Sequence, residues 1–186
     1  DVNWLEAVLK ETPARHVFVV VHEPVVPYNA RSSWHLFSKD PTPARRNWLM
    51  NVLGEYRAMV LCGHLHHYGV VKRDTPAGPF IQVALGSVIR PEATPVRLVE
   101  GVVRYTADLV DMEPDFGAGS EGARRAILEQ EKPLIDFFEV ARVPGFGVVT
   151  VFEDSVEMQV HLRSDRTAWR TVTIDTGTMT ISSEFN

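Results

Sequence analysis

Two continuous apolar runs stand out along the chain, and a histidine follows each of them. The first, VFVVV, covers residues 17–21 and leads into His22; the second, MVLC, covers residues 59–62 and leads through Gly63 into His64. Uninterrupted apolar runs of this length, rich in β-branched residues, are typical of strands that are covered on both faces. The pattern therefore predicts two buried strands with histidines at their carboxyl ends.

Helical periodicity precedes each of these strands. Residues 1–11 and residues 43–57 place apolar side chains three to four positions apart, which predicts two amphipathic helices. Pro13 follows the first segment and Pro43 opens the second, as expected of a helix end and a helix start. The resulting order of helix, strand, helix and strand predicts α/β architecture.

After residue 67 the pattern changes to short apolar or alternating stretches with turn residues between them. These predict a β-rich part of the fold, with strands at 68–73, 80–89, 145–154, 155–163 and 169–175. The sequence FEDSVEM predicts a tight hairpin centred on Asp154–Ser155.

The segment between these groups of strands has a different composition. A loop rich in Gly, Ser and Pro is followed by a helical pattern near residues 121–132, which Pro133 interrupts. We expect residues 113–145 to form a helical excursion or lid. Residues 1–112 then form the main part of the domain, and residues 146–186 complete the same domain with β-hairpin strands.

Composition narrows the classes of function. The 186 residues are 45% hydrophobic and 23% charged, as in a globular domain. A net charge of −5 argues against a nucleic-acid-binding patch, and the longest apolar run is far shorter than the ~20 residues of a membrane-spanning segment. The single cysteine, Cys62, excludes an internal disulfide and a multi-cysteine zinc site, and its place in an apolar run predicts a small buried side chain.

The histidines are the candidate chemistry. Because ligands of α/β sheets bind beyond the carboxyl ends of the strands, His22, His64 and His66 are expected at one edge of the sheet. Gly63 would permit a tight turn, and an extended backbone would point His64 and His66 the same way, toward one centre or two adjacent ones. Neutral imidazole is a common metal ligand, so the sequence predicts three convergent metal ligands.

A hydrophobic strand followed by His22-Glu23-Pro24, and about forty residues later a strand followed by Gly63-His64-Leu65-His66, resembles the last two motifs of the calcineurin-like metallophosphoesterases. The loop HEPVVPYNARSSWH is similar to the purple acid phosphatase branch of that family. The resemblance covers roughly residues 1–90. It implies a mixed α/β (α+β) fold, half of the family's four-layer sandwich, in which helices flank a mixed sheet.

The resemblance also implies roles for single residues. His22 and His64 would ligate one metal of a dinuclear pair of Fe, Mn or Zn ions, and His66 would ligate the other. A metal-bound hydroxide would attack the phosphorus of a phosphate ester. His35 would contact the phosphate or protonate the leaving group, although a solvated loop histidine is an equal interpretation of that residue. His67 is expected beside the site or on the surface, and His16 and His161 are expected to be structural.

The family's three earlier motifs, Asp-x-His, Gly-Asp-x-x-Asp and Gly-Asn-His-Asp/Glu, do not occur in this sequence. The ligand set for two metals is therefore incomplete in this chain, because those motifs supply the bridging carboxylate and further ligands. We expect the chain to be the C-terminal half of a longer phosphoesterase, with the missing N-terminal half on the same polypeptide or on a partner chain.

Two alternatives stay open at this point. One is a non-catalytic, phosphoesterase-derived interaction domain that forms a homodimer or pairs with a partner through exposed sheet edges. The other is a mononuclear zinc hydrolase with three histidine ligands and Glu23 as the candidate general base. Arg31, Arg73 and Arg90 are expected on the solvated surface.

Overall fold

The structure is a computed structural model, and it describes residues 2–11, 13–28, 43–86, 96–106, 109, 121–163 and 165–186. The described residues form three α-helices: α1 (Val2–Glu11), α2 (Pro43–Glu55) and α3 (Glu121–Glu131). These confirm the helices predicted from apolar spacing. A short 3₁₀ turn at Lys132–Leu134, which contains Pro133, ends α3 as the sequence indicates.

Six strands form a mixed sheet. They are β1 (Phe18–Val20), β2 (Met59–Cys62), β3 (Tyr68–Arg73), β4 (Phe80–Ala84), β5 (Leu98–Glu100) and β6 (Ile135–Ala141), in the order β1-β2-β4-β3-β6-β5. Strands β1, β2 and β4 are parallel, whereas β3 is antiparallel to β4 and β6, and β5 is antiparallel to β6. The carboxyl ends of the three parallel strands therefore share one edge of the sheet.

Four strands form a second, antiparallel sheet. They are β7 (Gly145–Val151), β8 (Ser155–Leu162), β9 (Arg170–Asp175) and β10 (Thr180–Phe185), in the order β10-β9-β8-β7. The amide of Phe152 donates to the carbonyl of Ser155 across 2.8 Å, so Glu153 and Asp154 are the central turn residues, one position earlier than predicted. A mixed sheet with a second antiparallel sheet is the β-rich, mixed α/β fold that the sequence predicts.

The two faces of the mixed sheet carry two separate cores. One core joins Val60 and Phe138 to Leu53 of α2 and Leu128 of α3, so the helices cover this face. The other core joins Met59 and Ile81 to apolar side chains of the antiparallel sheet, including Val160 and Val172. The alternation of Met59 and Val60 between the cores is the two-residue period of a strand buried on both sides.

A carboxylate lies buried between the sheets. Glu139 on β6 accepts hydrogen bonds from the hydroxyl groups of Tyr68 and Ser183, and its second oxygen accepts from the guanidinium of Arg170 at 2.6 and 3.1 Å. Arg170 also donates to Glu100 across 3.1 Å. Burial, and then the charge of Glu139, raise the pKa of Tyr68 well above its usual range. These five residues form the Glu139 network, which ties strands of both sheets together.

Two sequence expectations differ from this architecture. Strand β1 was expected to be covered on both faces, yet it is a three-residue strand at the edge of the sheet, and Val20 is 77% exposed. The 113–145 segment, expected as a helical excursion or lid, contains α3 but also β6, which lies between β3 and β5 inside the mixed sheet. Strand β6 does not have a continuous apolar pattern, because it contains Asp136 and Glu139. The two carboxylates pair with Lys72 and Arg170, which are distant in sequence.

The length and apolar character of a helix decide whether it can cross a membrane. None of the described helices combines the length and the apolar character that a membrane crossing needs.

Candidate functional site

The register of the parallel strands places the predicted histidines side by side. Val20 of β1 pairs with Leu61 of β2, so His22 and His64 follow the two strand ends at nearly the same height. The loops are also joined directly, since the amide of Gly63 donates to the carbonyl of His22 across 3.2 Å. This edge, defined by His22, Gly63 and His64, is called the histidine edge below.

The two imidazoles touch. Nδ1 of His64 lies 2.9 Å from Nε2 of His22, and the ring centroids are 4.8 Å apart with the ring planes nearly perpendicular. His22 is exposed and His64 is half-buried, so the pair is accessible from solvent. Two imidazole rings, one exposed and one half-buried, therefore meet at the carboxyl ends of two parallel strands.

In this loop the unfavourable backbone conformation is at His64 and His66 and not at Gly63. His64 and His66 have φ values of 66° and 58°, in the left-handed region that non-glycine residues rarely adopt. The expectation of an extended His-Leu-His segment was therefore wrong. Gly63 does not have a positive φ, and a Cβ added there would meet nothing within 4 Å, so this turn does not require glycine.

A glutamine that the sequence analysis missed holds the loop after His22. The amides of Val25 and Val26 donate to Oε1 of Gln82 at 2.7 and 2.8 Å, and Nε2 of Gln82 donates back to the carbonyl of Val26 at 2.8 Å. Gln82 is buried in β4. The signal was available in the sequence, because a single polar residue inside the apolar run FIQVA must find hydrogen-bond partners.

Aromatic packing fixes the end of the same loop. Tyr28 is fully buried and its ring covers Gly69 of β3, where an added Cβ would lie 2.5 Å from the ring. The hydroxyl of Tyr105 donates to the carbonyl of Pro27 across 2.9 Å, and burial raises the pKa of that hydroxyl well above its usual range. The loop that carries His22 is thus attached to β3, β4 and residue 105.

The other predicted site residues are less closely connected. His66 is half-buried, and the described residues do not bring it together with His22 and His64 into a group of three or more metal-ligating side chains. His35 lies outside the described residues, as do Arg31 and Arg90. Glu23, the candidate general base of the three-histidine alternative, is half-buried.

The donor pair fits one metal ion in part. Two imidazole bonds of about 2.0–2.1 Å at a tetrahedral angle hold the nitrogens roughly 3.3 Å apart, close to the separation in this pair. Imidazole nitrogens suit Zn and Fe, whereas Mn favours carboxylate and water oxygens. A complete site needs at least one further ligand, and the described part of the chain does not place a third metal-ligating side chain beside this pair.

Cys62, at the end of β2, is not a ligand in its present environment. It is buried, and burial raises the pKa of its thiol to about 12. A metal-binding or nucleophilic cysteine must be a thiolate, and the surroundings of Cys62 oppose that form. The sequence expectation of a small buried side chain is confirmed.

The remaining histidines lie away from the histidine edge or inside the fold. Nε2 of His16 lies 2.9 Å from the carbonyl of Phe152, and Nδ1 of His161 lies 3.1 Å from the carbonyl of Asp165. His67 is buried. Arg73, expected on the solvated surface, is buried instead and donates to Glu131 at 2.6 Å; its place at the end of an apolar strand gave no sign of that partner.

Comparison with known proteins identifies solved structures with a similar fold. No family model and no curated protein matches the sequence. Among solved structures, PhoD is similar with a TM-score of 0.57 and 14% identity, over 98% of this chain and 34% of that one. Purple acid phosphatase PPD1 from yellow lupin (Lupinus luteus) seeds is similar with a TM-score of 0.52 and 13% identity, over 93% of this chain and 28% of that one. The chain thus spans about a third of these phosphoesterases and shares their fold.

Proposed function

We propose that this chain is part of a phosphoric ester hydrolase and that His22 and His64 ligate one metal ion of its active site. The observation that carries the proposal is the approach of the two imidazole nitrogens to 2.9 Å at the carboxyl ends of parallel strands. The fold shared with phosphoesterases supports the same class of reaction.

The finer proposal is a dinuclear centre of Fe, Mn or Zn, with His66 as a ligand of the second ion and His35 beside the substrate phosphate. When bound, such metals neutralise the phosphate charge and supply the nucleophile for attack on phosphorus. The chain's own residues orient the ligands: the left-handed backbone at His64 turns its ring toward His22, and Gln82 fixes the loop that follows His22.

The rest of the ligand set belongs, in this proposal, to an N-terminal half or to a partner chain. Among the described residues, strand β1 pairs with β2 alone, and its residue Val20 is largely exposed. A strand added parallel to β1 would end at the histidine edge, so carboxylates that follow it would lie beside His22. The open side of β1 is therefore the position from which the missing ligands can arrive.

One observation favours a second candidate function. The side chain of Val20 on β1 is 77% exposed, as expected of a non-catalytic interaction domain that uses a sheet edge to bind a partner or a second copy. A mononuclear three-histidine zinc hydrolase would need His66 to join His22 and His64, and it predicts one ion per chain.

Metal binding separates these candidates. Elemental mass spectrometry of the purified protein, followed by Mn²⁺ and Zn²⁺ titration, gives the number of ions per chain. We expect His22→Ala or His64→Ala to weaken binding at least about a hundredfold, because each removes a direct ligand. His16→Ala removes an imidazole that contacts the carbonyl of Phe152 instead, and serves as the matched control.

Each outcome has a consequence. Two ions per chain with hydrolysis of p-nitrophenyl phosphate that His64→Ala abolishes would support the dinuclear proposal, and one ion would favour the mononuclear alternative. Metal affinity that is equal in the wild type and in His64→Ala would contradict the metal centre. No bound metal together with a dimer in size-exclusion chromatography would favour the interaction domain.

A further inference from the structure

Of the three residues His64, Leu65 and His66 in the loop after β2, only the leucine is buried. Its side chain is 4% exposed and belongs to the core between the mixed sheet and the helices. The histidines on either side are half-buried, and their φ values of 66° and 58° lie in the left-handed region. Two residues in an unfavourable backbone conformation therefore flank one buried apolar side chain.

His64 is the central residue of a three-residue turn. The amide of Leu65 donates to the carbonyl of Gly63 across 2.8 Å, and this bond closes the turn around His64. Such a bond with a positive φ at the central residue defines the strained form of the γ-turn, which is rare in proteins. The turn separates two neighbouring side chains: that of Leu65 lies in the core, whereas Nδ1 of His64 lies 2.9 Å from Nε2 of His22.

The turn needs a favourable interaction from outside, because its backbone conformation costs stability. The left-handed region is unfavourable for residues other than glycine, and Gly63 does not adopt it. The burial of a leucine side chain removes apolar surface from water, and its contribution to stability is similar to or larger than the cost of one left-handed residue. The burial of Leu65 is therefore sufficient to offset the strain at His64.

We propose that Leu65 is a positioning residue of the candidate metal centre. The burial of its side chain holds His64 in the γ-turn, and the turn keeps the imidazole of His64 against that of His22. Leu65 itself touches neither metal nor substrate and acts only through His64. The proposal rests on the proposed function for the role of the two rings as metal ligands, whereas the contact between the rings does not need a metal.

Zn²⁺ titration measures the effect on the metal centre. We expect Leu65→Ala to bind Zn²⁺ about ten- to a hundredfold more weakly than the wild type, because residues that orient a metal ligand commonly have effects of this size. Leu65→Met keeps an apolar side chain of similar volume and should restore most of the affinity. Leu53→Ala is the matched control, since it shortens a fully buried leucine of the same core, on α2, and should bind Zn²⁺ like the wild type. Equal affinities of the wild type and Leu65→Ala would overturn the proposal.

The contact between the rings can be followed without a metal. In ¹H–¹⁵N spectra of the imidazoles, recorded in the presence of a chelator, we expect Leu65→Ala to shift the signals of His22 as well as those of His64, because the two rings separate. Leu53→Ala should leave both unchanged. A shifted His22 signal in a protein whose wild type binds no Zn²⁺ would support the role of Leu65 and refute the metal centre. An unchanged His22 signal in Leu65→Ala, or equal changes in Leu53→Ala, would overturn the proposal whether or not Zn²⁺ binds.

A double variant tests the link between Leu65 and the backbone of His64. His64→Gly removes the side chain that makes the left-handed region unfavourable, so it should raise the melting temperature in metal-free buffer. In the background of Leu65→Ala the turn is no longer held, and this gain should be lost, because the two substitutions act on the same turn. An equal effect of His64→Gly in both backgrounds would show that Leu65 does not hold the turn, and would overturn the proposal.

Discussion

The histidine edge and the Glu139 network differ in the burial and in the hydrogen-bond partners of their polar side chains. In the Glu139 network, the two carboxylate oxygens accept from three side chains, and the contacts with Tyr68 and Arg170 are buried. At the histidine edge, two imidazoles contact each other in reach of solvent, on a loop whose backbone is held in an unfavourable conformation. The first region pairs a buried carboxylate with a buried guanidinium, whereas the second brings two imidazoles together where solvent reaches them.

This difference distinguishes polar side chains that stabilise the fold from polar side chains that can bind a ligand. A buried polar network is stable only when each member has its partners, and it then specifies how two sheets meet. A strained backbone beside accessible ligands costs stability, and such strain is concentrated at functional sites. Substitutions should therefore lower stability in the Glu139 network and can raise it at the histidine edge.

The largest expected effect comes from breaking the Glu139 network. Glu139→Leu leaves the guanidinium of Arg170 buried without its main partner, which typically costs about 3–5 kcal/mol of unfolding free energy. Urea denaturation measures the loss. Leucine in place of the exposed Glu184 of β10 is the control and should stay within about 0.5 kcal/mol of the wild type.

A double variant sharpens that prediction. Glu139→Leu combined with Arg170→Met replaces the charged pair by apolar side chains, and it should recover much of the stability that Glu139→Leu alone loses. If Glu139→Leu changes stability by less than about 1 kcal/mol, the network is not the link between the sheets that its contacts indicate.

A pair of glycines tests how the histidine edge is attached to the sheet. Gly69→Ala would place a Cβ 2.5 Å from the buried ring of Tyr28, so the loop that follows His22 must shift, at a cost of about 1–3 kcal/mol. Gly63→Ala, on the other side of the histidines, meets nothing within 4 Å and should be nearly neutral.

Two measurements read out the glycine pair. Urea denaturation gives the stabilities, and Mn²⁺ titration shows whether the shifted loop also weakens the proposed metal site. Equal stabilities for the two alanine variants would mean that Tyr28 does not hold the loop against β3.

Sequence patterns predicted the parts of this fold that depend on local apolar periodicity. Helices α1 and α2, strands β2 and β3, and the placement of His22 and His64 at one edge follow from apolar runs and their ends. Strand β6 could not be found in the same way, because its charges at Asp136 and Glu139 are neutralised by Lys72 and Arg170, which are distant in sequence.

The site was predicted less completely, for related reasons. The approach of His22 and His64 follows from the strand ends, but the left-handed backbone at His64 and His66 depends on the contacts of the whole loop. Nor does the sequence show that Gln82 holds residues 25 and 26, although its isolation in an apolar strand is a signal of some buried partner. Tertiary hydrogen bonds and positive φ values at non-glycine residues leave no local sequence pattern from which they could be predicted.

The histidine edge also offers a substitution that should stabilise the protein. The left-handed region destabilises the folded state by about 1–2 kcal/mol for each residue other than glycine. Elsewhere, the extra backbone freedom of glycine in the unfolded chain lowers stability by roughly 0.5–1 kcal/mol. His64→Gly should therefore raise the unfolding free energy by up to about 1 kcal/mol in metal-free buffer while it weakens metal binding. Glycine at His16, which does not have a positive φ, should lower it.

Thermal and urea unfolding in the presence of a chelator measure the two glycine variants together. A loss of stability in His64→Gly as large as in His16→Gly would show that the left-handed backbone at the histidine edge stores no strain, and the contrast with the Glu139 network would then rest on exposure alone.

The smallest expected effect lies in the turn between β9 and β10, where a polar cluster is satisfied but exposed. The backbone amide and then the hydroxyl of Thr178 donate to Oδ1 of Asp175, at 2.7 and 2.8 Å, and lower the pKa of its carboxyl from the ordinary value of 3.8. A carboxyl whose pKa is lower in the folded state contributes stability above the unfolded value, and this contribution is lost as the pH falls through the folded value. Between pH 5 and pH 2, urea unfolding should therefore show a steeper loss of stability for the wild type than for Asp175→Asn. Equal slopes for the wild type and Asp175→Asn would mean that this exposed carboxylate adds nothing to stability, unlike the buried Glu139.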